Sequence, residues 1–197
     1  LDVVSAYDVL PRVTVDEVIV AVVDTGVDHK HEDLKDVMWE NAGEKPGDKV
    51  DNDKNGYIDD IHGINTLVRD AQRRATMNTL PSGQGGGDFH GTHVAGTIAA
   101  TQNNGVGIAG VASNVKIMAI RTVPDSADEL DSDIVEAFAY AARHGANIIN
   151  CSFGKKVNEG GMVVRDVINE IGQKYDVLVV ASAGNDTTNN DVLAKYT

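Results

Sequence analysis

Four short apolar runs constrain the fold of this 197-residue chain more than any other feature. Each run has four to six residues rich in Val, Ile and Ala, with little of the polar alternation of a half-exposed strand. Near-continuous runs of this kind are typical of strands buried on both faces of a parallel sheet. The runs occupy residues 18–23 (VIVAVV), 115–120 (VKIMAI), 146–149 (ANII) and 177–181 (VLVVA).

Helical patterns lie between the later runs. Residues 133–144 (DIVEAFAYAARH) begin with Asp133 and carry Glu136 three positions on, as in a capping box, and they end in a basic turn before Gly145. Residues 162–175 repeat the apolar spacing of one helical face. Strands that alternate with helices predict βαβ units. We therefore expect an α/β fold with a mostly parallel central sheet covered by helices.

Residues 40–88 interrupt this alternation, because Asp, Asn, Gly and Lys dominate them. We interpret them as a long excursion from the sheet within one domain, 1–197, since the chain suits a single α/β core. Thirty acidic against 17 basic residues give a net charge of -13, which disfavours nucleic acid and favours cations as partners. No apolar run approaches the ~20 residues of a membrane span. The single cysteine, Cys151, excludes an internal disulfide.

Polar residues follow three of the apolar runs. Asp24 ends the first run in VVDTG, Ser152 follows the third in NCSFG, and Asn185 follows the fourth in SAGND. Functional residues of open parallel sheets gather at the carboxyl ends of the strands. A carboxylate, a small polar segment and a carboxamide are therefore expected at one edge of the sheet.

Two histidines, His90 and His93, stand three residues apart in DFHGTHVAGT. A zinc site needs further ligands, commonly with a Glu between or after the histidines, and HGTH supplies neither. A satisfied core histidine remains an alternative for each of them, and we favour it for His93, which lies within the predicted helix. Proton transfer gains support for His90, since the buried carboxylate of Asp24 can fix the tautomer of an imidazole and stabilise its cation.

Four ordered segments resemble the signature blocks of subtilisin-like serine proteases, the subtilases. They are VVDTGVD at 22–28, HGTHVAGT at 90–97, NCSFG at 150–154 and SAGND at 182–186. The resemblance implies the subtilisin-like three-layer fold and a serine endopeptidase that uses an Asp-His-Ser triad with an Asn oxyanion donor. It also implies a peptide or protein substrate, an extracellular or periplasmic location and, in some members, a propeptide.

The resemblance assigns roles to individual residues. Asp24 corresponds to the carboxylate that orients the histidine, His90 to the general base, and Asn185 to the side-chain donor to the oxyanion. Two segments correspond to the strand that pairs with the substrate backbone and to a wall of the specificity pocket. The small side chains of the pocket wall favour large apolar or unselective side chains at the cleaved position. These segments are Ser152, Phe153 and Gly154, and Ser182, Ala183 and Gly184.

The nucleophile departs from the family pattern. A Gly-Thr-Ser block is expected after the Asn block, and no serine up to Thr197 has that context. We favour a catalytic domain that stops before its serine, with its C-terminal part missing, because Asp24, His90 and Asn185 would otherwise be idle. The alternative is a non-catalytic, calcium-dependent peptide-binding pseudoprotease. The first hypothesis predicts that the isolated chain is inactive and oligomeric or prone to aggregation.

Residues 51–60 (DNDKNGYIDD) follow the D-x-D-x-N-G spacing of calcium loops. Alternate oxygen ligands converge on one cation while Gly56 permits the sharp turn. Position twelve is His62 and not the bidentate Glu of an EF-hand, so we predict a calcium loop of another kind. The predicted ligands are Asp51, Asp53, Asn55, Asp59 and Asp60.

Residues 101–107 (TQNNGVG) resemble an asparagine-rich loop that binds calcium in many subtilases. The same comparison makes Asp33 its carboxylate partner and leaves open the choice between Asn103 and Asn104. The nearby GVGIAG matches a dinucleotide-binding pattern by accident. A dinucleotide site requires a strand before the glycines, whereas here the predicted strand follows them. Cys151, inside a predicted strand, is interpreted as a small buried side chain and not as a nucleophile.

Overall fold

The computed structural model of the chain describes residues 16–83, 89–154, 162–185, 187 and 189. Within them, six strands form a sheet in the order β3-β2-β4-β1-β5-β6, parallel except for the β2–β3 pair. The strands are β1 (Val18–Asp24), β2 (Gly63–Arg69), β3 (Ala75–Thr76), β4 (Val115–Arg121), β5 (Ile148–Cys151) and β6 (Leu178–Ala181). The helices are α1 (His90–Ala99), α2 (Asp131–Arg143) and α3 (Met162–Tyr175), and a 3-10 turn covers Lys35–Val37.

The four predicted strands are confirmed as β1, β4, β5 and β6, although β5 begins and ends two residues later than predicted, and α3 has the predicted bounds. Helix α2 begins two residues before the predicted start, with Leu130 at its N-cap and no side-chain cap hydrogen bond. The capping-box interpretation of Asp133 is therefore wrong. Its carboxylate lies in the first helical turn and accepts a hydrogen bond from Arg69 Nη2 at 2.6 Å.

The predicted excursion from the sheet is wrong for residues 63–69. They form β2, which pairs parallel to β4 inside the main sheet. Asn65 and Thr66 concealed this strand, because they interrupt its apolar run although both side chains are buried. Asn65 Nδ2 donates to the Asn78 carbonyl at 2.8 Å, and Thr66 Oγ1 lies 3.0 Å from Thr122 Oγ1. The predicted excursion is also wrong for Ala75–Thr76, which form β3. The described residues of the predicted excursion that lie outside the strands are 40–62, 70–74 and 77–83.

Alternate residues of β1 pack into two apolar cores on opposite faces of the sheet. Val20 and Val22 belong to the core beneath α1, whereas Ala21 and Val23 belong to the core beneath α2 and α3. The buried residues of helix α1 are all small, namely Gly91, Ala95, Gly96 and Ala99, and Val94 and Ile98 pack partly buried beside them. The small residues let this helix approach β1 closely, which brings its first residue to the carboxyl end of that strand.

Strand β6 forms the edge of the described sheet. Leu178 and Val180, on the face away from α3, are 60% and 46% exposed. Parallel sheets are ordinarily covered on both faces, so we expect this apolar row to contact another surface, and association of the chain remains a prediction. Among the described helices, none combines the length and apolar character required to cross a bilayer.

Candidate active site

A buried carboxylate and a histidine meet at the carboxyl end of β1. Asp24 is 1% exposed, and His90 Nδ1 lies 2.8 Å from its Oδ1 and 3.0 Å from its Oδ2. An ionised carboxylate can only accept hydrogen bonds, so Nδ1 carries a proton and donates a hydrogen bond to Asp24. Nε2 is then the basic nitrogen of the ring. The His90 side chain is 52% exposed, which leaves the ring accessible to a reacting group.

Hydrogen bonds and close packing hold the residues around this pair in place. The amide of Thr25 donates to Asp24 Oδ1 at 2.7 Å, and the Thr25 hydroxyl accepts the amide of Gly91 at 3.1 Å. A Cβ built on Gly91 would clash with the Gly26 carbonyl oxygen and would lie 3.0 Å from Asp24 Cβ, which is tighter than most real side-chain contacts. Gly26 has φ +113°, and a Cβ there would lie 2.8 Å from the Thr79 carbonyl oxygen. The two glycines therefore allow the turn after β1 to pack against the start of α1.

The two segments predicted to bind substrate follow β5 and β6. The parallel register aligns Val23 with Cys151 and Cys151 with Ala181, so residues 24, 152 and 182 leave the sheet at one level. The amide of Ser182 donates to the Cys151 carbonyl at 3.0 Å. Asn185 is exposed and follows Gly184, which has φ +88°. The described hydrogen bonds include none between Asn185 and His90.

His93 is not a core residue. It is exposed on α1 and lines a cavity of about 690 Å³, whereas the buried face of that helix contains small residues. The interpretation of His93 as a buried histidine is therefore wrong, because the helix turns its side chain away from the sheet. Apolar side chains line much of this cavity, including Leu34, Leu80, Phe89 and Ile108.

Cys151 is buried in β5, as predicted. Burial raises the pKa of its thiol well above the ordinary range, and the negative charges of Asp24 and Glu129 raise it further. The thiol therefore stays protonated at neutral pH, which makes it a poor nucleophile.

Part of the predicted calcium loop forms an acidic cluster. One carboxylate oxygen each from Glu44, Asp51 and Asp53 lies within 4.8 Å of the others. Glu44 is 7% exposed, and its Oε1 accepts the amides of Asn52 at 2.7 Å and Asp53 at 3.2 Å. Sequence reasoning missed Glu44 because it precedes the ligand motif. These three side chains could hold a hard cation.

Asp59 and Asp60 contribute to the shape of the loop. The Asp59 carboxylate accepts the amides of Gly47 at 2.8 Å and Lys49 at 3.0 Å. Asp60 is fully buried and accepts a 2.6 Å hydrogen bond from the Tyr140 hydroxyl on α2. It also accepts the side-chain amides of two residues, Asn41 at 3.2 Å and Asn55 at 2.9 Å. The Tyr140 bond connects the loop to helix α2, and the other bonds hold the loop together.

Tyr140→Phe is expected to lower the free energy of unfolding by about 1.5–3 kcal/mol, since it leaves a buried carboxylate with one donor fewer. Burial and the charge of Asp60 raise the pKa of the Tyr140 phenol far above its usual range, so the hydroxyl remains a donor. Urea unfolding would measure the loss, with Tyr175→Phe as the control at a residue that is 37% exposed. Equal losses in the two variants would contradict the assigned role.

The second predicted calcium site brings together two of its three candidate residues. Asp33 is 3% exposed, and its carboxylate accepts Asn104 Nδ2 at 2.7 Å and the amide of Ile108 at 3.0 Å. Asn103 is exposed and has φ +60°. Among the described hydrogen bonds, Asn104 and not Asn103 contacts Asp33.

Comparisons with known proteins agree with these features. The model of the subtilase family matches residues 16–196. A thermophilic serine proteinase from Bacillus sp. (strain AK1) is 33% identical over 177 residues, which are 90% of this chain and 35% of that protein. Thermitase from Thermoactinomyces vulgaris is 34% identical over 168 residues, 84% of this chain and 47% of thermitase. The chain thus spans less than half the length of either relative.

The solved structure of sphericase has the same fold. It superposes with a TM-score of 0.67 at 25% sequence identity, over 95% of this chain and 53% of the sphericase chain. The mostly parallel sheet, its helices and the family match over residues 16–196 all lead to one assignment. The chain belongs to the subtilase family of serine proteases.

Proposed function

We propose that this chain supplies the Asp-His part of a serine endopeptidase site. The observation that carries the proposal is the 2.8 Å contact between His90 Nδ1 and the buried carboxylate of Asp24. A buried carboxylate in this position fixes the tautomer of the imidazole and stabilises its protonated form. The rest of the site is inferred from the family and from the position of each segment along the sheet.

In the proposed reaction His90 moves one proton. Its Nε2 takes the proton from a serine hydroxyl while the serine oxygen forms a bond to the carbonyl carbon of the substrate. When the peptide C–N bond breaks, Nε2 returns the proton to the leaving amine. The hydrogen bond to Asp24 holds the ring in place and stabilises the imidazolium formed between these steps. The nucleophilic serine has no matching motif in these 197 residues.

Residues after β5 and β6 are proposed to bind the substrate. The Asn185 side-chain amide would donate to the oxyanion, a contact whose loss typically costs about 10²–10³ in kcat. Residues 152–154 would pair with the substrate backbone as an added strand. The small, uncharged side chains of Ser182 and Ala183 suit a large apolar residue at the cleaved position. The common level at which the strands end supports this arrangement.

We further propose calcium as a structural cofactor. Glu44, Asp51 and Asp53 offer the oxygen ligands that Ca²⁺ prefers. The side-chain oxygen of the neighbouring Asn55 would be a further ligand. Asp59 and Asp60 would shape the loop through their hydrogen bonds, and Asp33 with Asn104 would form a second site. Calcium-dependent stability suits an extracellular or periplasmic protein, since sites in extracellular modules are commonly filled at about millimolar calcium.

Asp51→Asn is expected to remove most of the stabilisation by calcium. At a free calcium concentration of about 100 times the Kd, binding at one site adds roughly 2.7 kcal/mol to the free energy of unfolding. Titration calorimetry and thermal melts in chelator-treated buffer would measure binding and stabilisation. Asp36→Asn makes the same charge change at an exposed residue outside the cluster and should behave like wild type. The absence of binding heat at millimolar calcium would contradict the proposal.

The absence of a recognisable serine block also permits a peptide-binding pseudoprotease. A fluorophosphonate probe, which reacts with activated serines, separates the two functions. We expect residues 1–197 alone to remain unlabelled and the protein that joins them to a Gly-Thr-Ser segment to be labelled. Labelling of residues 1–197 alone would contradict the view that the nucleophile lies in another segment. Peptide binding without labelling of the longer protein would favour the pseudoprotease.

A further inference from the structure

A largely buried arginine lies one strand away from Asp24. Arg121 ends β4, and the parallel register pairs its Cα with that of Asp24 on one side and that of Asn65 on the other. The alternation of β4 and β1 places Arg121 on the same sheet face as Asp24, the face covered by α1. Its side chain is 12% exposed. Nothing in the sequence motifs gives this residue a role.

Among the described residues, the guanidinium group has partners for two of its three nitrogens. Nη1 donates to the Leu80 carbonyl at 2.9 Å, and Nη2 lies 3.5 Å from Asp125 Oδ2. Nε is buried and has no hydrogen-bond partner among the described residues. A buried cation that leaves a donor without a partner among the described residues costs stability relative to an apolar side chain of similar size. Packing alone therefore gives no reason for an arginine at this position.

The carbonyl that Arg121 holds belongs to a segment that covers the turn after Asp24. The neighbouring Thr79 carbonyl accepts the amide of Val27 at 2.9 Å. The contact is close, because a Cβ built on Gly26 would lie 3.0 Å from the Leu80 carbonyl oxygen. Asn65 contributes a second buried anchor, since its Nδ2 donates to the Asn78 carbonyl at 2.8 Å.

The same turn contacts α1 on its other side. The Thr25 hydroxyl accepts the amide of Gly91, and the Thr92 hydroxyl accepts the amide of Asp28 at 2.9 Å. Three layers are thus in contact: residues 78–80, the turn at 24–28, and the first turn of α1 with His90. Movement of the outer layer would change the distance between the carboxylate of Asp24 and the imidazole.

We propose that Arg121 is a positioning residue, which acts through the Leu80 carbonyl to hold the turn carrying Asp24 against His90. The catalytic consequence rests on the proposed function, but the geometry can be measured without turnover.

The test is the proton NMR resonance of His90 Nδ1–H in the wild-type protein and three variants. Assignment uses its loss in His90→Ala. Arg121→Met removes the charge and the donors but keeps the aliphatic stem, and Arg121→Lys keeps one donor and the charge. Arg74→Met is the control, since Arg74 pairs with Asp70 four residues away, outside these layers.

We expect the Nδ1 proton to exchange with solvent about tenfold faster in Arg121→Met. This factor corresponds to the loss of one charge-assisted hydrogen bond, here from Arg121 to the Leu80 carbonyl, that keeps Asp24 in contact with His90. Arg121→Lys and Arg74→Met should exchange at the wild-type rate. An unchanged rate in folded Arg121→Met would overturn the proposal. If Arg121→Met does not fold, Arg121→Lys decides the question. A folded Arg121→Lys protein with the wild-type Nδ1–H resonance supports the role. An unfolded Arg121→Lys protein, or a folded one without that resonance, overturns it.

Peptide hydrolysis separates this inference from the proposed function. Normal hydrolysis with an exchange rate that does not depend on Arg121 overturns the positioning role alone. The other outcome is a folded protein that has its serine and shows the expected exchange pattern but cleaves no peptide. That result overturns the proposed function alone.

Discussion

Asp24→Asn is expected to lower kcat/KM for peptide hydrolysis by about 10⁴-fold in the protein that contains its serine nucleophile. The two side chains have nearly the same shape, so the effect is chemical. Asn presents an NH₂ donor where the carboxylate only accepts, and the imidazole can then place its proton on Nε2. In that tautomer His90 cannot accept the proton of the serine, and no negative charge remains to stabilise the imidazolium.

Steady-state kinetics on a chromogenic peptide would measure this loss. Asp28→Asn is the matched control: its Oδ1 accepts the amide of Lys30 at 3.0 Å, and it has no hydrogen bond to His90 among the described residues. We expect this control to retain activity close to wild type. A loss below about tenfold in Asp24→Asn would show that Asp24 does not orient the general base.

Gly91→Ala is expected to destabilise the protein and to disrupt the active site together. The new methyl group would clash with the Gly26 carbonyl oxygen and lie 3.0 Å from Asp24 Cβ. Overpacking of this kind costs about 1–3 kcal/mol, and the strain is relieved only if the turn moves away from α1. Because that movement separates Asp24 from His90, kcat/KM should fall along with the free energy of unfolding.

Gly96→Ala provides the control within the same helix. The nearest atom to a Cβ at this position is Ile108 Cδ1, at 3.8 Å, which is ordinary contact. Replacement of a mid-helix Gly by Ala stabilises by about 0.5–1 kcal/mol, so the two substitutions should have opposite signs. Urea unfolding of both variants measures them. Stabilisation by Gly91→Ala, or equal effects at the two sites, would contradict the close packing described around Asp24.

The sheet was predictable where burial and hydrophobicity coincide. Strands β1, β4, β5 and β6 consist largely of apolar residues, and their sequences alone indicate a parallel sheet. Strand β2 was not predictable in this way, because Asn65 and Thr66 are buried by hydrogen bonding to other segments. No local pattern reveals a partner that lies elsewhere in the chain.

The positions of the candidate site residues were predictable where those residues belong to motifs at strand ends. Asp24 and His90 meet as the order of the motifs indicates. The prediction for His93 was wrong, because small residues form the buried face of α1. The apolar pattern of this segment does not indicate which face of the helix packs against the sheet. Glu44 and Arg121 were missed, since a carboxylate outside a ligand motif and an arginine after an apolar run have no local signature. Tertiary contacts alone identify them.

A double-mutant cycle of Asp24→Asn and His90→Ala tests most directly whether these residues form one catalytic unit. The quantity is kcat/KM for a peptide substrate, measured in the protein with its serine present. Because Asp24 acts only through the imidazole, we predict that Asp24→Asn costs about 10⁴-fold in the wild-type background and almost nothing once His90 is Ala. A similar loss in both backgrounds would show that Asp24 acts independently of His90 and would contradict the proposed mechanism.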